Sequence, residues 1–365
     1  MRARTRLSLQ TAPNRGFAGR SEYLSLGTCR NQSRLAGLAL ALLTACRPAS
    51  GAGPAPCPAD VCPTVADPRF AVVVLGARGG IVSDDLSAYL VASAGSDDFV
   101  CLDAGSVFTG LERAAALGSL GPGARADTAL RQRIRGYLIS HPHLDHLAGL
   151  LLAAPDDLPG KFLGGSESTL AAIRDHLFNG TVWANFFADI GPAPQLGLYR
   201  PLPLMPGQST ALPGIDLSVE TWPLNHPGGS SAFLLTGPRG DALLYLGDTG
   251  PDAPGDDRLA RLWARVAPLI RAGQLRAVFI EVSYPDPRPD DRLFGHLTPQ
   301  RLHSELQHLA AAVDPRGTPL RGLVVAITHI KPAPDAASRI REQLAALPDL
   351  GVRLIFPAQG RRLAL

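Results

Sequence analysis

The chain has 365 residues, 45% of them hydrophobic and 18% charged, with a formal net charge of +3. That length accommodates one large or two ordinary domains with a sizeable core. The small charge excludes the dense basic face of a nucleic-acid binder, and much of the positive excess lies in residues 1–47, where Arg2, Arg4, Arg6, Arg15, Arg20, Arg30, Arg34 and Arg47 meet only Glu22.

Residues 1–34 are polar, arginine-rich and aperiodic. Leu35 to Ala45 is an apolar run too short to span a bilayer. Behind Arg34 it reads as a signal-peptide core, with a buried helix as the alternative. Its end, Leu43-Thr44-Ala45-Cys46, resembles the bacterial lipobox, where cleavage precedes the cysteine and the thiol is acylated. That resemblance implies a lipoprotein signal at 1–45, export to the periplasm, and a lipid anchor on Cys46 as the only membrane attachment. Arg47, not aspartate, follows the cysteine, which favours the outer membrane. The basic stretch before Arg34 is long for such a signal and points to a start downstream of Met1. Residues 46–67 read as a Pro/Gly/Ala-rich tether. Cys57 and Cys62 within it are either a pair, as an oxidising compartment allows, or two free thiols.

The folded domain is expected over 68–365. Phe70 to Leu75 reads as a strand, and Gly76-Ala77-Arg78-Gly79-Gly80 as a turn whose glycines permit close approach to a ligand. Strands follow at Leu86 to Ala92 and Phe99 to Leu102, the latter ending in Asp103-Ala104-Gly105, with Cys101 as a small core residue. After helix and connection over 107–135, the apolar run Gly136 to Ile139 delivers Ser140-His141-Pro142-His143-Leu144-Asp145-His146. Pro142 keeps His141 extended, and in an extended segment residues two apart share a face, so His141 and His143 point at one metal ion. Asp145 and His146 sit at a helix start and turn towards a second. Such a set of imidazoles and carboxylate suits zinc, or manganese or iron.

Helices are expected at Leu147 to Ala154 and Ser168 to Phe178. The aromatic segment 178–187 is either core or a lid over a pocket. Strands over Leu217 to Trp222, Ala242 to Leu246, Ala277 to Ile280 and Leu323 to Ile327 lead towards His226, Asp248, Glu281 and His329 in turn, with a further strand over Ala232 to Thr236. A buried carboxylate such as Glu281 needs a partner. A helix over Arg258 to Ala272 and one opening at Thr298-Pro299, just after His296, complete the pattern. Val352 to Phe356 is the last expected strand.

The order His141 motif, His226, Asp248, Glu281, His329, each near the end of an apolar strand, resembles the metallo-β-lactamase superfamily. It implies an α/β fold, a four-layer αββα sandwich with its metals at one edge of two sheets. By that resemblance His141, His143 and His226 hold one divalent ion, Asp145, His146 and His329 the other, and Asp248 bridges them, with Zn2+ favoured and Mn2+ or Fe2+ as alternatives. Gly76 to Leu90, Cys101 to Gly105, the His-Pro-His-Leu-Asp-His run, Gly247-Asp248-Thr249, Ile280 to Tyr284, Gly295 to Pro299 and Thr328-His329-Ile330-Lys331 more closely resemble the class II cyclic-nucleotide phosphodiesterases. His226, in Asn225-His226-Pro227-Gly228, is the loosest match.

The family implies hydrolysis of cAMP, cGMP or both to the 5′-monophosphate. Two ions bridged by hydroxide supply a nucleophile and neutralise the phosphoryl oxygens. His296 is the candidate proton donor to the leaving oxygen, Glu281 orients it, and Asp145 orients the hydroxide as well as binding metal. Trp183 and Phe186 are candidates to stack on the base, and Asn185 to read its edge. A small-molecule cyclic nucleotide is thus the expected partner, without a stable nucleic-acid partner, and with a homodimer left open. The alternatives are another phosphodiesterase or RNA-end hydrolase of the superfamily, and a non-catalytic nucleotide-binding lipoprotein.

Overall fold

The computed structural model describes residues 57–63 and 65–365. The leader expected at 1–45 and the acylation site Cys46 lie outside the described residues. Strands β1 (Phe70–Gly76), β2 (Ala88–Ser93), β3 (Phe99–Leu102) and β4 (Ile134–Leu138) are apolar runs, and every residue of the first three is buried. With β5 (Lys161–Gly165), β6 (Asn185–Phe187) and β7 (Gln195–Pro203) they build one sheet. The second contains β8 (Thr210–Ala211), β9 (Ser218–Leu224), β10 (Ser230–Thr236), β11 (Ala242–Leu246), β12 (Leu275–Glu281), β13 (Val324–Thr328) and β14 (Arg353–Ile355). The chain then returns, and β15 (Arg362–Ala364) pairs with β1 at the edge of the first sheet. The sheet orders are β15-β1-β2-β3-β4-β5-β7-β6 and β14-β13-β12-β11-β10-β9-β8.

Alternation along the strands separates the two faces of each sheet. In β1, Val73 and Leu75 face one apolar layer while Phe70, Val72 and Val74 face another; in β12, Val278 and Ile280 part from Ala277 and Phe279 in the same way. The shared layer lies between the sheets, where Phe70, Tyr89, Phe233, Tyr245 and Phe279 pack. Helices α1 (Val107–Ala116), α2 (Ala126–Thr128), α3 (Leu144–Ala153) and α4 (Glu167–Ala172) cover the outer face of the first sheet through Val107, Leu111, Leu147, Leu150 and Leu170. Helices α5 (Arg258–Arg271), α6 (Pro299–Val313) and α7 (Ala336–Ala346) cover the second. The buried positions of α5, Leu259, Leu262, Trp263 and Val266, have the spacing of one helical face. Each such side chain, fully buried, contributes about 1.5–3 kcal/mol. The result is the expected αββα arrangement.

Strands β5, β7 and β15 escape a reading by hydropathy. Lys161 opens β5 and is buried, its ammonium on Asp157 and the Leu130 carbonyl. Pro201 and Pro203 interrupt β7, and proline argues against a strand. The expected tether is also partly ordered. Cys57 and Cys62 form a disulfide, and Asp60 of that turn accepts from the Phe356 N–H at 2.7 Å and pairs with Arg341 at 2.7 Å. Residues 57–63 therefore dock on the domain beside β14 and α7.

One topological fact positions the site. β3 and β4 are parallel, as are β11, β12 and β13. β9 is antiparallel to β10, which is antiparallel to β11, so β9 points the same way as β11. Within each sheet the carboxyl ends of these strands come out on one side, and contacts from Asp103 to Tyr245 and from His141 to Asp248 bring the two sides together, where open α/β sheets place ligands.

Candidate metal centre

His141 leaves β4, and extended His143 is the N-cap of α3, so Asp145 and His146 fall in the first helical turn. There a carboxylate also complements the helix dipole. His226 follows β9, Asp248 follows β11, and His329 follows β13. His329 has φ 57° and Asp103, just after β3, has φ 51°. Non-glycine residues there cost of order 1–3 kcal/mol and persist only where the surroundings fix them.

The structure brings all seven expected ligands together. Ligand atoms of His141, His143 and His226 lie within 4.8 Å of one another, as do those of Asp145, His146 and His329. Asp248 stands between the triads. Its Oδ2 is 3.8 Å from His141 Nε2, 3.8 Å from His226 Nε2 and 3.3 Å from His329 Nε2, and its Oδ1 is 3.2 Å from His146 Nε2. Asp145 Oδ2 is 3.3 Å from His329 Nε2 and accepts the Gly80 N–H at 2.9 Å. The glycine turn therefore serves a ligand histidine and a ligand carboxylate: a Cβ on Gly79 would overlap the His329 ring.

Whether these side chains fit a cation can be tested from their hydrogen bonds. Asp103, fully buried, accepts Tyr245 OH at 2.6 Å, Ser140 N–H at 2.7 Å, Ser140 Oγ–H at 2.8 Å and His146 Nδ1–H at 2.7 Å. Since the Ser140 proton goes to Asp103, Ser140 Oγ accepts from His141 Nδ1 at 3.0 Å. Ser283 Oγ donates to Glu281 Oε2 and accepts from His329 Nδ1 at 2.9 Å. His226 Nδ1 donates to the Gly295 carbonyl at 2.9 Å. A neutral imidazole carries one N–H, so these inward nitrogens are bare lone pairs. Yet His141 Nε2 and His143 Nδ1 are 3.0 Å apart, His146 Nε2 and His329 Nε2 3.1 Å, and His226 Nε2 and His143 Nδ1 3.2 Å. Each such contact needs a proton or a cation between its nitrogens, and the hydrogen bonds behind His141, His146, His226 and His329 draw the protons of those four rings away from it. The nitrogen and carboxylate donors fit divalent metal.

The electrostatics agree at His141, His143 and His226. Burial holds His141, His143 and His226 below the ordinary imidazole value, so they are ready to donate lone pairs. Burial opposes charge on Asp248 too, but the fields of His329, His146 and His141 outweigh it and hold its carboxyl well below the usual range. At His146 burial is outweighed by Asp248 and Asp103, which raise it, so a metal bound there has to displace the Nε2 proton that these carboxylates favour.

Asp103, Ser140, Tyr245 and Ser283 were not assigned roles by sequence reasoning. Asp103 carries the signal used for Asp248 and Glu281, a polar residue closing an apolar strand. The serines carry none, because their orienting role depends on which nitrogen of a neighbouring ring faces inward.

The expected acid pair is also in contact. Glu281 is buried at the end of β12, and its Oε1 accepts from His296 Nδ1 at 2.8 Å and from Thr249 N–H at 2.9 Å. Burial opposes protonation of His296, but Glu281 and then Asp248 prevail and its pKa is raised. With Nδ1 on Glu281, Nε2 is the ring atom left for substrate. Thr298 does cap α6 by position, without a side-chain hydrogen bond.

The aromatic segment needs correcting. Phe186 is buried, packed at 5.3 Å against Phe178. Asn185 is buried, donates to the Ile190 and Pro192 carbonyls at 2.8 Å each, and accepts the Phe187 N–H at 3.1 Å. Neither side chain is available to a base, because both are committed to the fold. Trp183 is 39% exposed.

Three comparisons place this architecture. The chain is 39% identical over 305 residues to a 3′,5′-cyclic-nucleotide phosphodiesterase of Aliivibrio fischeri, covering 80% of this chain and 91% of that protein. The fold is similar to that of unliganded yeast PDE1, with a TM-score of 0.72 at 21% identity over 82% of this chain and 100% of that one. It is also similar to the metallo-β-lactamase fold protein YhfI of Bacillus subtilis, with a TM-score of 0.53 at 14% identity over 81% and 99% of the two chains. Residues 119–360 match the family of class II cAMP phosphodiesterases. A metallo-β-lactamase sandwich with a histidine–aspartate centre across its strand ends, this chain belongs to the class II cAMP phosphodiesterases.

Proposed function

We propose that this protein hydrolyses the 3′-ester bond of 3′,5′-cyclic nucleotides, cAMP, cGMP or both, releasing the nucleoside 5′-monophosphate. The observation that carries the reading is the convergence of seven ligand-type side chains between two triads sharing Asp248, in a chain of this family. Two divalent ions, Zn2+ by the donor set, match the two triads. Divalent ions held there supply a nucleophile from water at neutral pH and neutralise charge on phosphoryl oxygens.

The chain's own residues do the rest. Asp103, Ser140 and Ser283 fix ring tautomers so that lone pairs face inward. Glu281 holds His296 with a proton, which Nε2 delivers to the departing 3′ oxygen. Asp145, held by Gly80 N–H, orients the attacking water. For the nucleoside, the room favoured is a cavity of about 510 Å³ bordered by His226 and His296 and reaching Asn225, Asp252, Arg258 and Arg301. It replaces the 178–187 segment, whose Asn185 and Phe186 are spent on the core.

The test is turnover of a panel of cAMP, cGMP, an aryl phosphodiester and an RNA 3′ end by zinc-loaded protein. Conversion of a cyclic nucleotide to its 5′-monophosphate is expected. Turnover confined to RNA, or none despite full metal, would replace this function with one of the alternatives.

The protein is further proposed to be an exported lipoprotein, acylated at Cys46 and anchored in the periplasm at the outer membrane. The Cys57–Cys62 disulfide supports passage through an oxidising compartment. Mass spectrometry of the mature N-terminus is expected to find acylated Cys46; a cytoplasmic protein retaining residues 35–45 would refute it.

A further inference from the structure

Lys331 ends the run Thr328-His329-Ile330-Lys331 and has no part in the roles assigned above. Its N–H donates to the Ser283 carbonyl at 3.1 Å, beside the strand ends that carry Glu281 and His329. Its side chain lies along the glycine turn. A Cβ on Gly80 would be 3.8 Å from its Cγ and 3.9 Å from its Cδ, and Gly80 is the residue whose N–H holds Asp145. The ammonium is 6.0 Å from the centre of the Tyr284 ring, which meets His296 edge-on at 5.8 Å and is backed by the Arg288 guanidinium at 3.9 Å.

Among the described residues no carboxylate pairs with this half-buried ammonium, and it donates no hydrogen bond. A cation so placed gains nothing from a centre that takes divalent ions. With no carboxylate of its own, it is placed to pair with an anionic ligand that enters the cleft.

Resting on the cyclic-nucleotide reading, we infer that Lys331 anchors the phosphate: its ammonium takes a non-bridging oxygen of the cyclic diester and of the 5′-phosphate product. Tyr284, braced by Arg288, keeps the lysine stem on the His296 side of the cleft. The anchor binds diester and transition state alike, so its loss appears in KM and in product affinity more than in kcat.

The experiment uses full-length, zinc-loaded protein and its Lys331→Met and Lys331→Arg variants. Calorimetric affinity for inorganic phosphate is measured at fixed ionic strength, with KM and kcat for cAMP alongside. Lys331→Met is expected to weaken phosphate about 10- to 100-fold, the scale of a charge-assisted hydrogen bond, and to raise KM similarly with kcat within a few-fold. Lys331→Arg is expected to recover most of the phosphate affinity, and bound zinc to match wild type in both variants. Unchanged phosphate affinity in Lys331→Met would overturn the inference. So would loss of zinc, which would assign Lys331 to supporting His329 instead. If wild type turns over no cyclic nucleotide, the proposed function falls, while phosphate affinity still decides the anchor.

Discussion

Asp103 Oδ2 lies 2.7 Å from His146 Nδ1, joining the end of β3 to the first turn of α3 beneath the metal centre. The same carboxylate takes three further hydrogen bonds, from Ser140 twice and from Tyr245. Tyr245 belongs to β11 in the second sheet. One buried charge thus ties the two sheets to each other and to the ligands.

Asp103→Asn keeps the volume but puts an NH2 in place of one acceptor oxygen, so the four donors, His146 Nδ1–H among them, can no longer all be accepted. Metal affinity should fall about 10- to 100-fold, as for other partners of ligating histidines. Equilibrium dialysis against buffered zinc measures it. An unaltered affinity would mean that the ring is oriented by packing alone.

Removing ligands tests the assignment of His226. His226→Ala should lower bound metal by one ion of two, and exhaustive chelation of wild type should abolish turnover. Elemental analysis of both proteins gives the numbers, and an alanine variant with full metal content would take His226 out of the first triad.

His296→Ala should reduce kcat for cAMP about 10²- to 10⁴-fold with little change in KM. Activity should recover on a p-nitrophenyl phosphodiester, whose leaving group needs no proton. Equal losses on the two substrates would exclude the acid role.

Glu281→Gln tests the pH dependence. The Glu281 carboxylate stabilises the imidazolium and raises the His296 pKa, so the protonated acid survives to higher pH than it otherwise would. Without that charge the pKa drops, and the alkaline limb of kcat against pH should move to lower pH. An unmoved limb, at wild-type metal content, would separate Glu281 from the acid.

Gly79→Ala puts a methyl group where His329 Cε1 and Nε2 now lie. The ring must move, at about 1–3 kcal/mol for overpacking. The expected outcome is a lower Tm in zinc-loaded protein and weaker zinc retention; a variant equal to wild type in both would show the turn to be adaptable.

The sequence by itself determined most of the ligand set and the alternation of strand and helix. It could do so because buried strands are continuous apolar runs, and an imidazole or carboxylate closing such a run stands out against them. His141, His143 and His146 are close along the chain, so local geometry nearly places them. Strands β5 and β7 were illegible because Lys161, Gly164, Pro201 and Pro203 break the apolar pattern, and only tertiary partners such as Asp157 make the lysine tolerable there. Tertiary structure alone decided the fate of the aromatic segment. Asn185 and Phe186 have the chemistry of a base-binding site, yet Pro192 and Phe178, folded back on them from the same segment, use all of it. It also decided the parts played by Asp103, Ser140 and Ser283. The hydrogen bonds behind His146 and His329 come from distant strand ends, and the neighbouring Ser140 serves His141 as an acceptor because distant Asp103 takes the serine's proton; residue order does not carry those distances.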